Sequence, residues 1–195
     1  MRFALGMLLL ALLSSCSSGS PGKSKADAAA AVDDACAVAV RFVDSWLKRR
    51  SGGRPVVFSD TPDSLFNSPA PGPWFKLTGE YGTTPSRALL AKAPEMTRDS
   101  AVARCPSLRA YLDRAHIPHG AKAVAETTRA PDANSLYPAD VLGVTLPSVS
   151  PDGSQALTMT SFQSGPMSGL GQFFLLERQP DGGWPAVSMQ NLWMS

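Results

Sequence analysis

The hydrophobic pattern of this chain changes period once, and that change limits the possible folds. In residues 26–50 the apolar side chains recur at spacings of four and three, which is one face of a helix: Val32, Cys36, Ala39, Val43 and Trp46. From Val141 onward the apolar residues instead form short runs separated by turn residues, which is typical of strands. Helices followed by consecutive strands predict an α+β protein.

The C-terminal part is expected to form a four-stranded antiparallel meander. The strand-like runs are 141–149, 155–162, 170–178 and 184–194. Turn residues separate them: Pro151-Asp152-Gly153, the glycine-containing segment 164–169, and Pro180-Asp181-Gly182-Gly183. Because short turns join antiparallel neighbours, we expect a meander with one face covered by the N-terminal helices.

Shorter elements are expected between the long helix and the meander. Val56-Val57-Phe58 favours a short strand, and Thr61-Pro62 and Thr84-Pro85 each resemble a helix start with a threonine cap. Cys105-Pro106-Ser107 leads into a further helix, whose apolar face would comprise Leu108, Tyr111, Leu112 and Ala115.

The N-terminal residues look like an export and attachment segment. Arg2 precedes an apolar run from Phe3 to Leu13. That run has about eleven residues, well short of the ~20 that a membrane-spanning helix needs. It ends at Leu13-Ser14-Ser15-Cys16, which resembles the lipobox of bacterial lipoproteins.

The lipobox resemblance implies an anchor and a location. It implies that residues 1–15 are a signal peptide and that the Cys16 thiol carries a diacylglycerol, which would attach the chain to a membrane. Residues 16–25 would be a flexible lipidated tether, and residues 26–195 a single α+β domain. In Gram-negative lipoproteins an aspartate after the cysteine resembles an inner-membrane retention signal. Ser17 stands there, so we expect an outer-membrane protein facing the periplasm.

The remaining cysteines, Cys36 and Cys105, are expected to form a disulfide. An exported chain folds in an oxidising compartment, where an even pair of cysteines most simply forms a bridge. The alternative is two free buried thiols. Cys36 lies on the apolar face of the first helix, so a bridge would have to approach that helix from the core.

Charge argues against a nucleic-acid partner. The chain has 18 basic and 16 acidic residues, a net charge of +2, and no block of five like charges. The run that comes closest to such a block, Lys48-Arg49-Arg50, is expected to be a helix C-terminus favoured by the helix dipole.

No catalytic set, metal site or cofactor site is expected. His116 and His119 are the only histidines, and Pro118 between them breaks the helical spacing that a metal pair would use. The segment Ser164–Gly171 is rich in glycine but lacks the lysine of a phosphate-binding loop. Most of the C-terminal acids fall in or beside turns, where they bond the local backbone: Asp132, Asp140, Asp152, Glu177 and Asp181.

The C-terminal stretch also resembles the ending of a group of uncharacterised exported bacterial proteins. The resemblance rests on turn and core residues over about 45 positions: Gly153 to Leu157, Gly165 to Gly171, Leu175 to Glu177, Asp181 to Trp184, and Trp193 to Ser195. It implies a similar meander and no particular activity. A helix followed by a curved sheet is also compatible with the nuclear-transport-factor-2-like cone fold.

These expectations lead to one main hypothesis and two alternatives. The main hypothesis is a lipid-anchored envelope protein without catalytic residues, whose domain binds an unknown protein or small molecule. The first alternative is a small-ligand pocket or enzyme inside a cone-like sheet. The second is an immunity-type lipoprotein that blocks a toxin in the periplasm, for which an adjacent toxin gene would be the first evidence.

Overall fold

The computed structural model describes residues 25–50, 53–61, 83–92, 99–129, 131 and 136–194. These residues form five helices and six strands, and no helix among them is both long and apolar enough to cross a bilayer. In chain order the elements are α1 (Lys25–Arg49), β1 (Val56–Phe58), α2 (Arg87–Lys92), α3 (Ala101–Arg104), α4 (Pro106–Arg114), α5 (Ala121–Thr128), β2 (Asp140–Val144), β3 (Ser148–Val149), β4 (Gln155–Gly165), β5 (Ser168–Glu177) and β6 (Ala186–Met194). The protein is therefore α+β, as the change of period predicts.

The strands form one mixed sheet of six strands rather than a four-stranded meander. Its order is β1-β2-β4-β5-β6, with β3 paired to β4. The pairs β4–β5 and β5–β6 are antiparallel, whereas β1 lies parallel to β2. The parallel strand β1 comes from the N-terminal half of the chain. The turn residues between the C-terminal strands therefore give no information about its pairing.

The predicted single run 141–149 is two strands. Val144 of β2 pairs with Thr160, and Ser148 of β3 pairs with Leu157, so the register on β4 shifts by one residue between them. Pro147 lies in this interval and has no N–H to donate to a ladder. The interruption therefore follows from the backbone chemistry of proline.

The main core lies between α1 and one face of the sheet. Phe42 of α1 is 1% exposed, and its ring centroid lies 5.3 Å from that of Phe174 on β5. Ala39 and Val43 flank Phe42 and are also buried. The apolar stripe of α1 thus packs inward, as its spacing predicts.

The other face of the sheet is also buried, which differs from the expectation of one covered face. Leu89 of α2 packs with four fully or nearly buried side chains, which are Leu157, Met159, Phe173 and Leu175. Both faces of β4 and β5 carry buried apolar side chains, so the middle of these strands lacks the apolar–polar alternation of a sheet with one exposed face.

The helix starts were only partly predicted. Ser86, not Thr84, caps α2, because the Leu89 amide donates to Ser86 Oγ at 3.3 Å. Pro106 occupies the first turn of α4, and Leu108 and Leu112 are buried, as expected, although Ala115 lies beyond the helix and is exposed. The expected helix start at Thr61-Pro62 lies outside the described residues.

The turn between β3 and β4 is organised by Asp152. Its carboxylate accepts hydrogen bonds from Ser150 Oγ, from the Ser154 amide at 3.1 Å and from Ser154 Oγ at 2.8 Å. Gly153 has a φ of 68°, a backbone conformation that side chains disfavour. These bonds, first that from Ser150, lower the pKa of Asp152 from 3.8 to about 2.

Asp152 should therefore titrate near pH 2 in the folded protein. Since its folded pKa lies below its unfolded value, the stabilisation is complete above about pH 4 and is lost as the pH falls toward 2. Replacing Ser150 with alanine should move the titration midpoint, followed by NMR of the Asp152 side-chain carboxyl carbon, upward toward the ordinary range. Ser168→Ala, an exposed serine in the next hairpin, is the matched control. An unchanged midpoint in Ser150→Ala would contradict the assignment of this hydrogen bond.

Candidate functional site

The expected disulfide pair is brought together in the core. Cys36 and Cys105 are 5% and 0% exposed, and the structure joins their sulfurs in a disulfide with the Cα atoms 5.3 Å apart. Cys105 lies between α3 and α4 and ends one helix while beginning the next. The middle of α1 is thus connected to the α3–α4 junction. Cys16, the expected lipidation residue, lies outside the described residues.

The two histidines do not form a site together. His116 is exposed and has a φ of 54°, whereas half-buried His119 contacts the Ile117 carbonyl through Nδ1 at 3.2 Å. His119 Nε2 lies 3.8 Å from Asp113 Oδ1. Over the described ranges, no group of three or more histidine, cysteine or acidic residues could hold a metal.

The glycine-containing segment 164–171 is mostly strand. β4 continues to Gly165 and β5 begins at Ser168, so only Pro166 and Met167 form the turn. The expected loop 164–169 is therefore too long, because Gly165, Ser168 and Gly169 pair within the β4–β5 ladder. Met167 projects from this turn and is 83% exposed.

One acidic residue, Asp140, differs from the expectation that the C-terminal acids bond the local backbone of turns. Asp140 begins β2, and its side chain is only 1% exposed. Its Oδ2 accepts a hydrogen bond from Arg50 Nη2, and its Oδ1 lies 3.3 Å from Arg54 Nε. Arg54 Nη2 also donates to the Tyr137 carbonyl. The buried carboxylate therefore connects the end of α1 to the start of β2. Asp132 lies outside the described residues.

Arg50 is held on three sides. Its guanidinium carbon lies 5.1 Å from the Trp46 ring centroid and 4.8 Å from the Phe162 ring centroid, in addition to the bond to Asp140. A guanidinium over aromatic faces gains cation–π attraction. The side chain is 23% exposed, so this fixed cation still reaches solvent.

An open groove lies between the C-terminal end of α1 and strands β5 and β6. Its volume is about 460 Å³. One wall is Trp46, Arg49 and Arg50, and the floor consists of sheet side chains: Gln172, Phe174, Ala186 and Met189. Gln172 Nε2 donates to Asn191 Oδ1 at 3.0 Å and contacts Met189 Sδ at 2.9 Å, which orders the floor beside the wall.

The groove is basic and partly apolar. Arg50 and Arg54 share the single carboxylate of Asp140, so this cluster retains one positive charge. Arg49 is exposed and has no acidic partner in the described part of the chain. Met189, 44% exposed, adds an adaptable apolar surface. These groups can bind an anionic, partly apolar ligand.

The described lining of the groove offers groups for binding. Among the described residues, the seven that line it include no carboxyl, imidazole or thiol side chain. A phenol with a raised pKa lies away from the groove, at the contact of α1 and α4. Burial, and then its hydrogen bond to Asp44, raise the pKa of Tyr111 to about 12. The hydrogen bond from Lys48 is the main reason that the pKa of Asp44 is lowered.

The sequence predicts Lys48-Arg49-Arg50 only as the C-terminal end of a helix. Lys48 and Arg49 do lie in the last turn of α1, as expected. The groove was missed because its floor comes from strands more than a hundred residues away. Comparison of the chain with protein-family models, curated proteins and solved structures finds no significant match.

Proposed function

We propose that this chain is a lipid-anchored protein of the bacterial cell envelope that binds a partner in the groove between α1 and β5–β6. The observation that carries the binding role is the groove itself, where ordered and exposed arginines adjoin an apolar floor. The lipobox resemblance at Cys16 supports the anchor, and Ser17 supports an outer-membrane location facing the periplasm. Two or more acyl chains would make the attachment stable.

Replacing Cys16 with serine should release the protein from membranes. Without a thiol at this position no diacylglycerol can be attached, so the protein should move from the membrane pellet to the soluble fraction. Metabolic labelling with radioactive palmitate should be lost at the same time. The matched control is Ser17→Ala, which keeps the thiol. A Cys16→Ser protein that stays in the pellet would contradict the anchor.

The binding role is tested separately, by site-specific photo-crosslinking in cells. A photoreactive phenylalanine analogue replaces Met189 in the groove or, as the control, exposed Ala110 on α4. We expect an adduct from position 189 and none from position 110, with the partner identified by mass spectrometry. Equal labelling at both positions, or none, would contradict a partner at the groove.

A small-ligand pocket in a cone-like sheet is the second candidate. The observation that favours it is the groove volume of about 460 Å³, since drug-sized ligand sites occupy roughly 300–1,000 Å³. The helix α1 against a sheet with register shifts between β5 and β6 is compatible with a cone-like fold. Thermal-shift screening with metabolites distinguishes the two, because a stabilising small molecule favours the pocket.

A further inference from the structure

We infer that the groove and strand β6 together bind an extended acidic peptide segment of a partner protein, which adds to the sheet beside β6. This inference rests on the proposed partner-binding function and specifies the chemistry of the partner.

The first argument is the outer edge of β6. This strand is the last in the sheet order, and among the described strands only β5 pairs with it. Edge strands are usually protected by charged residues or proline, whereas residues 186–194 contain neither. Register shifts beside Leu175 and Gly171 enclose a regular segment from Ser188 to Asn191. This segment can offer backbone hydrogen bonds to a short extended peptide.

The second argument is the charge beside that edge. Alternate side chains of an added strand point to the α1 face of the sheet, where the groove is lined by Arg49, Arg50 and Met189. Acidic side chains at those positions would meet the exposed Arg49 guanidinium, and aliphatic ones would meet Met189. Backbone pairing would thus supply affinity, and the arginines would select an acidic sequence.

The third argument excludes two nearer occupants. A second copy pairing through its own β6 would carry the same two arginines to the interface, where like charges would oppose each other. The chain's own tether, residues 16–25, contains Lys23 and Lys25 and no acid. Neither supplies the negative charge that the groove lacks.

The experiment uses the full-length protein purified in detergent and two synthetic peptides. One is a ten-residue peptide alternating glutamate and valine, and the other replaces each glutamate with lysine. Hydrogen exchange followed by mass spectrometry should show exchange slowed about tenfold in residues 186–194 with the glutamate peptide, and no change with the lysine peptide.

A pair of α1 variants tests the arginine. Arg49→Gln should weaken binding of the glutamate peptide about tenfold, as expected for loss of a charge-assisted hydrogen bond. Arg41→Gln removes the same charge from an exposed position eight residues earlier on α1. It should change the affinity less than about twofold, because the screening length of ~8 Å is shorter than that separation along a helix.

Four results would overturn the inference: no binding of the glutamate peptide, equal binding of both peptides, binding without protection of β6, or equal effects of the two arginine variants. Protection of β6 without peptide, together with a dimer in light scattering, would assign the edge to a second copy instead. If the glutamate peptide does not bind but the crosslink from position 189 is obtained, the proposed partner binding stands. Only the inference that the partner adds an acidic strand beside β6 is then wrong.

Discussion

Replacing both Cys36 and Cys105 with alanine is expected to lower the free energy of unfolding by about 4 kcal/mol. The bridge spans a sequence separation of 69 residues, and closing a loop of that length lowers the conformational entropy of the unfolded chain by an amount equivalent to about 4 kcal/mol. For a domain of this size the loss corresponds to a fall in melting temperature of roughly 8–16 °C. Urea denaturation and calorimetry measure both quantities.

The controls separate the bridge from the packing of its sulfurs. Each single alanine variant also breaks the bridge, so it should lose nearly as much stability as the double variant. The unaltered protein treated with a reductant should behave in the same way. Non-reducing mass spectrometry should find the peptides of Cys36 and Cys105 linked. Free thiols there, or a double variant as stable as the parent, would contradict the role assigned to the bridge.

Asp140→Asn is expected to lower the free energy of unfolding by about 3 kcal/mol. The substitution keeps the size of the side chain but removes the carboxylate that contacts both Arg50 and Arg54. Two guanidinium groups would then lie close together, each partly removed from water, without a counter-charge. The loss is placed at the lower end of the range for buried pairs because the arginine side chains are 23% and 36% exposed.

The matched control for this substitution is Asp113→Asn. The Asp113 side chain is 70% exposed and lies 3.8 Å from the His119 ring nitrogen, so its loss should cost less than about 0.5 kcal/mol. Urea denaturation of both variants, analysed with a common m-value, provides the comparison. Equal stabilities of the two variants would show that the Asp140 cluster contributes little to stability.

Local sequence patterns predicted the individual helices and strands of this fold better than they predicted which elements pair or pack with one another. The spacing in α1 identified its buried face, and the Pro-Asp-Gly turns identified the strands of the meander. The parallel pairing of β1 with β2 was not predictable, because nothing in Val56-Val57-Phe58 specifies which distant strand it meets. Burial of both faces did have a local signal, because the apolar run from Phe173 to Leu176 does not alternate with polar residues. Which helix covers the second face was not predictable from that run.

The groove could not be predicted from the sequence for a similar reason. Its wall follows from the end of α1, but its floor depends on how β5 and β6 pair below that helix. One local signal was available: Asp140 immediately precedes the apolar run 141–144. A charge directly against a buried strand usually needs a partner of opposite sign, and Arg50 and Arg54 beside a glycine-rich helix end were candidates.

The length of α1 has a consequence for where recognition takes place. Its 25 residues extend from Lys25, where the expected tether ends, to Arg49 at the groove. At ~1.5 Å per residue this helix is roughly 36 Å long. If the chain is anchored through Cys16, α1 acts as a spacer that can hold its arginines beyond the lipid headgroups. A partner would then be met in the aqueous space above the membrane, within a distance that the helix and the flexible tether set together.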